Sequence, residues 1–106
     1  MRIDIRGRKC IPSEALREHV EHRLLCELSR FAPYISRVLV EFSVAPLSDG
    51  RASEANLRIE GSRIKHLQLS EQNRDSFSAA DRVIDRAARH FDREMARSRR
   101  NRLVSA

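Results

Sequence analysis

The chain has 106 residues, enough for one domain with one core, and its 41% apolar content excludes a disordered chain while 34% charged residues make the surface heavily ionised. The net charge is +6 and unevenly placed, with eight arginines against four acids in residues 76–106 and thirteen basic residues against eleven acids in residues 1–75. An excess gathered at one end suits an anion-binding surface, and no apolar run approaches the ~20 residues of a membrane-spanning helix.

Ile3 and Ile5 alternate with Arg2, Asp4 and Arg6, which predicts a short half-buried strand ending at Gly7. Arg8 and Lys9 follow in a loop. Ser13 is placed to cap a first amphipathic helix over residues 14–31, with Leu16, Val20, Leu24, Leu28 and Phe31 on its apolar face and Pro33 closing it. Val38, Val40, Phe42 and Val44 then alternate with Arg37, Leu39, Glu41 and Ser43 as a strand with one buried face. A turn around Asp49-Gly50 leads to an antiparallel strand carrying Ala55, Leu57 and Ile59 inward. The fourth strand is expected over Arg63–Ser70, where Ile64 breaks the alternation and a bulge near Lys65-His66 would account for the break. The polar run Glu71–Arg74 leads into the last element.

That element is a long helix from Phe77 to Arg100, capped by Asp75. Phe77, Ala80, Ile84, Ala87, Ala88, Phe91 and Met95 form its apolar face. Arg82, Arg86, Arg89, Arg93, Arg97 and Arg100 form a stripe on the opposite side, and Asp81, Asp85 and Asp92 keep to one flank. If those acids paired with the stripe at i,i+4, as Asp85 with Arg89, each pair would contribute only about 0.3–0.5 kcal/mol, a weak reason for aligned arginines that repel one another. Phosphate binding is the better reason. The element order β-α-β-β-β-α predicts an α+β fold in which both helices cover one face of a four-stranded sheet. The other face, with Asp4, Arg37, Glu41, Asn56 and Arg58, meets water. One domain spans 1–106, ordered to about residue 100, with a frayed tail after Arg102.

Catalysis finds no support in the residues. The glycines are scattered and form no phosphate loop, and Ser, His and Asp lack a nucleophile-elbow context. His19 and His22 are read as two surface histidines, and no metal site or cofactor is expected. Cys10 and Cys26 lack metal or CxxC spacing and are expected as reduced thiols. The opening MRIDIRGRKC has no apolar stretch of a secretory leader, so a cytoplasmic location is expected. Phe31, Phe42, Phe77 and Phe91 fall on core faces, which argues against base stacking on the sheet and leaves folded RNA, held through phosphates and shape, as the target.

The segments MRIDIRGRK, SEALREHVEHRL, RVLVEFSV, EANLRIEG and DSFSAADRVIDRAARHF, in that order, resemble the ribosome hibernation promoting factor and protein Y family, also called sigma-54 modulation proteins. Asp75, Phe77, Ala79, Ala80, Asp81, Asp85 and Arg89 fit the family's pattern at the start of its second helix, and the resemblance covers about residues 1–97. It implies a βαβββα domain that binds 16S rRNA of the small ribosomal subunit, within 70S or 100S particles, and blocks mRNA and tRNA sites in resting cells. Carried over by position, it implies Arg17, Arg23 and Arg30 on the first helix and Arg82, Arg86, Arg89, Arg93, Arg97 and Arg100 on the second as rRNA contacts. The chain reads as a short form without a dimerising domain, monomeric when free, with no small-molecule substrate. The alternative is a regulatory module whose basic helix docks on an acidic protein.

Overall fold

The computed structural model describes residues 1–62 and 64–105, with side chains described through residue 99. The elements run β1 (Arg2–Gly7), α1 (Glu14–Leu28), a 3-10 helix (Ser29–Tyr34), β2 (Ile35–Leu47), β3 (Gly50–Gly61), β4 (Leu67–Asn73) and α2 (Ser76–Ser105). The four strands form one sheet in the order β1-β2-β3-β4. β1 lies parallel to β2, because α1 carries the chain back across the sheet between them, and the other pairs are antiparallel.

The sheet register aligns one apolar layer: Ile3, Val38, Ile59 and Leu67 fall opposite one another, and Ile5, Val40, Leu57 and Leu69 form the next row. Leu16, Val20, Leu24 and Leu28 of α1 and Ala79, Ala80, Val83, Ile84, Ala87, Ala88 and Phe91 of α2 close over that layer. Both helices therefore cover one face of the sheet, as the strand pattern predicts. The small residues Ala80, Ala87 and Ala88 let α2 approach closely, and Phe31 and Phe91 fill the far end with ring centroids 5.4 Å apart.

Both predicted caps are present. Ser13 Oγ accepts from the Leu16 N–H at 3.1 Å, and the Asp75 carboxylate accepts from the N–H groups of Phe77 and Ser78, both at 3.3 Å. These bonds satisfy donors that the first helical turn leaves unpaired.

Three boundaries differ from the sequence reading. The α-helical part of the first helix stops at Leu28 rather than residue 31, and the chain tightens into 3-10 geometry through Pro33. Proline offers no N–H for an α-type bond and its ring crowds the preceding turn, so the shift to 3-10 comes before it. β4 spans Leu67–Asn73 rather than 63–70, without the expected bulge; its ladder is regular from Ile59↔Leu67 to Ser53↔Asn73. Ile64 belongs to the connection and packs on the core beside Gly61, whose Cα hydrogen face lies so close that an added Cβ would stand 2.8 Å from Ile64 Cδ1. Helix α2 extends to Ser105, beyond the predicted end at Arg100; the side chains of Arg100 and of the expected tail lie outside the described residues.

Leu39 and Val44 depart from simple alternation. Leu39 points to the open sheet face yet is 7% exposed, lodged among Arg37, Arg58 and Glu60 whose stems cover it. Val44 follows Phe42 on the helix side but is 53% exposed, because it lies beyond the covered part of the sheet.

Candidate nucleic-acid interface

The α2 register that buries Val83, Ile84, Ala87, Ala88 and Phe91 turns Arg82, Arg86, Arg89, Arg93 and Arg97 to solvent, and all five are exposed. What those arginines touch decides what they can bind. Arg82, Arg89 and Arg93 have no carboxylate within ion-pair distance among the described residues. Arg86 leans toward the sheet edge, donating from Nη1 to the Ser70 carbonyl at 3.1 Å and to Glu71 Oε1 at 3.0 Å. Arg97 meets Glu94 on its own helix at 3.3 Å.

The aspartates of α2 do not pair with this stripe; they turn to α1 and to the 3-10 helix that follows it. His19 Nε2 lies 2.7 Å from Asp81 Oδ1, Arg23 Nη2 donates to Asp85 Oδ1 at 2.6 Å, and Arg30 Nη2 donates to Asp92 Oδ2 at 2.9 Å. All three pairs share a sequence separation of 62. A constant separation means that the helices run parallel and in step, so each rung repeats the last one or two turns further on. Asp85 is thereby withdrawn from Arg89, its i,i+4 neighbour.

Arg23 is the most engaged of the arginines proposed as contacts. Its guanidinium also meets Glu27 at 3.1 Å and lies 3.3 Å from Asp81, although Nε, buried and facing Asp81, is not aligned for a hydrogen bond. Partial burial alone would lower its pKa; Asp85, through charge and hydrogen bond, and then Asp81 and Glu27 outweigh that and hold it above the ordinary value. Arg17 donates to the Ile5 carbonyl at 2.9 Å on the open edge of β1. The structure therefore gathers Arg82, Arg86, Arg89, Arg93 and Arg97 on one surface and sets Arg17 apart from them; Arg23 and Arg30 hold carboxylates in the seam between the helices, where Arg30 and Arg89 line one groove with Glu27, Asp85 and Asp92. Arg100 lies in α2, with its side chain outside the described residues.

The outward face of α1 differs in sign. Glu14, Glu18 and Glu21 are exposed along it, without cationic partners among the described residues. Sequence reasoning missed the role of Asp81, Asp85 and Asp92 as rungs to α1; their confinement to one flank was the available signal. It also counted His19 as a surface residue, whereas its ring is partly buried, edge-on to Phe77 at 5.2 Å. Among the described residues no group of three or more His, Cys, Asp or Glu side chains is arranged to hold a metal ion. No described helix is long and apolar enough to cross a membrane.

Residues 3–99 match the family described as sigma 54 modulation protein / S30EA ribosomal protein. The chain belongs to this family. A sigma-54 modulation/S30EA protein is a ribosome-associated binding factor and not an enzyme. Two solved structures share the family fold. The Protein Y N-terminal domain of Thermus thermophilus is 23% identical with a TM-score of 0.72, covering 88% of this chain and 98% of its own. A ribosomal subunit interface protein from Coxiella burnetii is 18% identical with a TM-score of 0.74, covering 91% of this chain and 99% of its own. At these identities the likeness is one of fold. No curated protein shows significant similarity to the chain.

Proposed function

We propose that this S30EA-family protein docks on 16S rRNA of the small ribosomal subunit through the exposed face of α2, and that the rigid domain then excludes mRNA and tRNA from their sites. The observation that carries this reading is the withdrawal of Asp81, Asp85 and Asp92 toward α1, which leaves Arg82, Arg89 and Arg93 without carboxylate partners among the described residues. Three unpaired guanidiniums on one convex helix face are suited to bidentate contact with backbone phosphates, and a convex face is poorly suited to enclosing a small substrate. Arg86 and Arg97 each hold one carboxylate in part-exposed pairs, which cost little to exchange for phosphate.

In this reading Arg23 of α1 and Arg30 of the 3-10 helix serve unequally. Arg30, 59% exposed, can reach a phosphate at the margin, whereas Arg23 acts as a positioning residue that fixes α2 against α1. Arg17, held at the open edge of β1, lies apart from this face. Action on ribosomes places the protein in the cytoplasm.

The test is the triple variant Arg82→Glu/Arg89→Glu/Arg93→Glu, titrated with purified 30S subunits. Binding is lost while helical circular dichroism is retained. Retained binding contradicts the reading, and loss of folding would make the stripe structural.

A further inference from the structure

At the end where β1 stops, the sheet overshoots its helices. β1 makes its last pairing at Gly7↔Phe42, whereas β2 and β3 continue as a hairpin to Leu47↔Gly50. Both helices begin near this level, α1 directly after the β1 loop and α2 directly after β4. The helix-side surface of the hairpin past Phe42 is therefore left open. Val44, in phase with buried Val38, Val40 and Phe42, is 53% exposed there.

The loop joining β1 to α1 stands beside this surface and is firmly held. The Arg8 N–H donates to the Phe42 carbonyl at 2.8 Å and Cys10 Sγ lies 3.3 Å from the same oxygen. Pro12 is buried, and Gly7 is pressed so closely under the loop that an added Cβ would lie 2.0 Å from the Cys10 carbonyl oxygen. Within this pinned loop Lys9 adopts φ 59°, a left-handed conformation that a lysine rarely occupies. Ile11 is held 92% exposed, more than any other large apolar side chain described. A loose loop would leave an isoleucine in water by default; this loop is tied on both sides of it.

Charge surrounds these aliphatic groups. Arg8, Lys9 and Arg51 are exposed, and none has a carboxylate partner among the described residues. Arg51 sits directly across the hairpin from Pro46, two residues beyond Val44. Asp49, the nearby acid of the hairpin turn, is taken by Arg74.

We propose that this end of the domain is a second docking surface, separate from the arginine stripe, for an acidic protein segment that carries aliphatic side chains. Ile11 and Val44 would bury apolar area against the segment, and Arg8, Lys9 and Arg51 would meet its carboxylates at the rim. A nucleic acid could satisfy the cations through phosphates. Among the described residues it would find here no exposed aromatic ring on which to stack bases. Occupancy of this surface is independent of whether α2 meets rRNA, since the two surfaces share no residue.

The test uses the full chain with labelled Ile, Leu and Val methyl groups, observed by NMR. The probes are a short amphipathic peptide of Glu, Asp, Leu and Ala, the same peptide with Lys in place of its acids, and a single-stranded RNA oligonucleotide. The acidic peptide shifts the Ile11 and Val44 methyls saturably and the lysine peptide does not. The double variant Ile11→Ser/Val44→Ser weakens that binding about tenfold; the separate variant Arg8→Gln/Arg51→Gln, which leaves the apolar groups in place, weakens it as well. Absence of methyl shifts with the acidic peptide overturns the proposal. So does a stronger response to the RNA, which would make this a nucleic-acid surface, or shifts that grow with protein concentration alone, which would make it a contact between copies.

Discussion

Arg23 and Arg89 have the same chemistry and opposite surroundings, so the same substitution in each separates structure from binding. Arg89 has no carboxylate partner among the described residues, whereas Arg23 lies 2.6 Å from Asp85, 3.1 Å from Glu27 and 3.3 Å from Asp81. If the five described arginines of the stripe each neutralise one phosphate, log affinity for 30S subunits falls against log salt with a slope of about −3.5 to −4.5. Arg89→Gln should reduce the magnitude of that slope by about 0.7–0.9 and leave thermal stability unchanged. Arg23→Gln leaves three carboxylates facing one another without their shared cation. Their side chains are 33–51% exposed, so solvent screening holds the cost to about 1 kcal/mol, or about 4–6 °C in melting temperature. Its salt slope should stay at the wild-type value. Binding titrations across a salt series and thermal melts followed by circular dichroism supply both readouts. If Arg23→Gln lowers the slope as Arg89→Gln does, with unchanged melting, Arg23 faces phosphate and the division of roles is refuted.

The remaining predictions concern folding. The Ser78 hydroxyl hydrogen bond holds the Asp75 carboxyl below its ordinary pKa; desolvation opposes it, and the Phe77 and Ser78 N–H groups and the charge of His19 add to the lowering. A carboxylate whose pKa is lower folded than unfolded stabilises the fold above the unfolded value of about 3.9, and that stability is lost as pH falls through the folded value. The melting difference between wild type and Asp75→Ala should therefore be constant near neutral pH and shrink below about pH 4; a difference that persists unchanged into acid contradicts this. Gly7→Ala sets a Cβ 2.0 Å from the Cys10 carbonyl oxygen and 2.9 Å from Pro12 Cδ, so backbone must move, at a cost of about 2–4 kcal/mol in denaturant unfolding. Near-neutral behaviour would mean that the β1–α1 loop is not fixed as described. Leu24→Ala, at a fully buried position under α1, should cost about 2–5 kcal/mol by the same assay, and a cost below about 1 kcal/mol would contradict the packing.

Local periodicity made most of the fold legible. Alternation in β1, β2 and β3 and the three- and four-residue steps of α1 and α2 depend on neighbouring residues alone, as do the caps at Ser13 and Asp75. Alternation does not register how elements pack on one another: Ile64 leaves strand phase where it joins the core, and Val44 is exposed because the helices begin short of it. Leu39 is buried on the open face by the stems of charged residues from other strand positions, which alternation cannot register. The arginine stripe was readable as a stripe. Its division into unpaired and paired members was not, since Asp85 could equally have served Arg89 at i,i+4; only the parallel packing of α1 on α2, in constant register, assigns it to Arg23. The family resemblance carried a basic pattern on both helices; Arg17 and Arg23 of α1, and Arg30 of the 3-10 helix after it, contact protein acceptors.

Sedimentation of a stationary-phase lysate through sucrose at low and high salt, probed for wild-type protein and for the Arg82→Glu/Arg89→Glu/Arg93→Glu variant, tests docking on the ribosome most directly. Wild-type protein should comigrate with 30S, 70S or 100S particles at low salt and leave them at high salt, while the variant stays at the top of both gradients. Wild-type protein that stays at the top at low salt, or a variant that still comigrates, would contradict phosphate docking through α2.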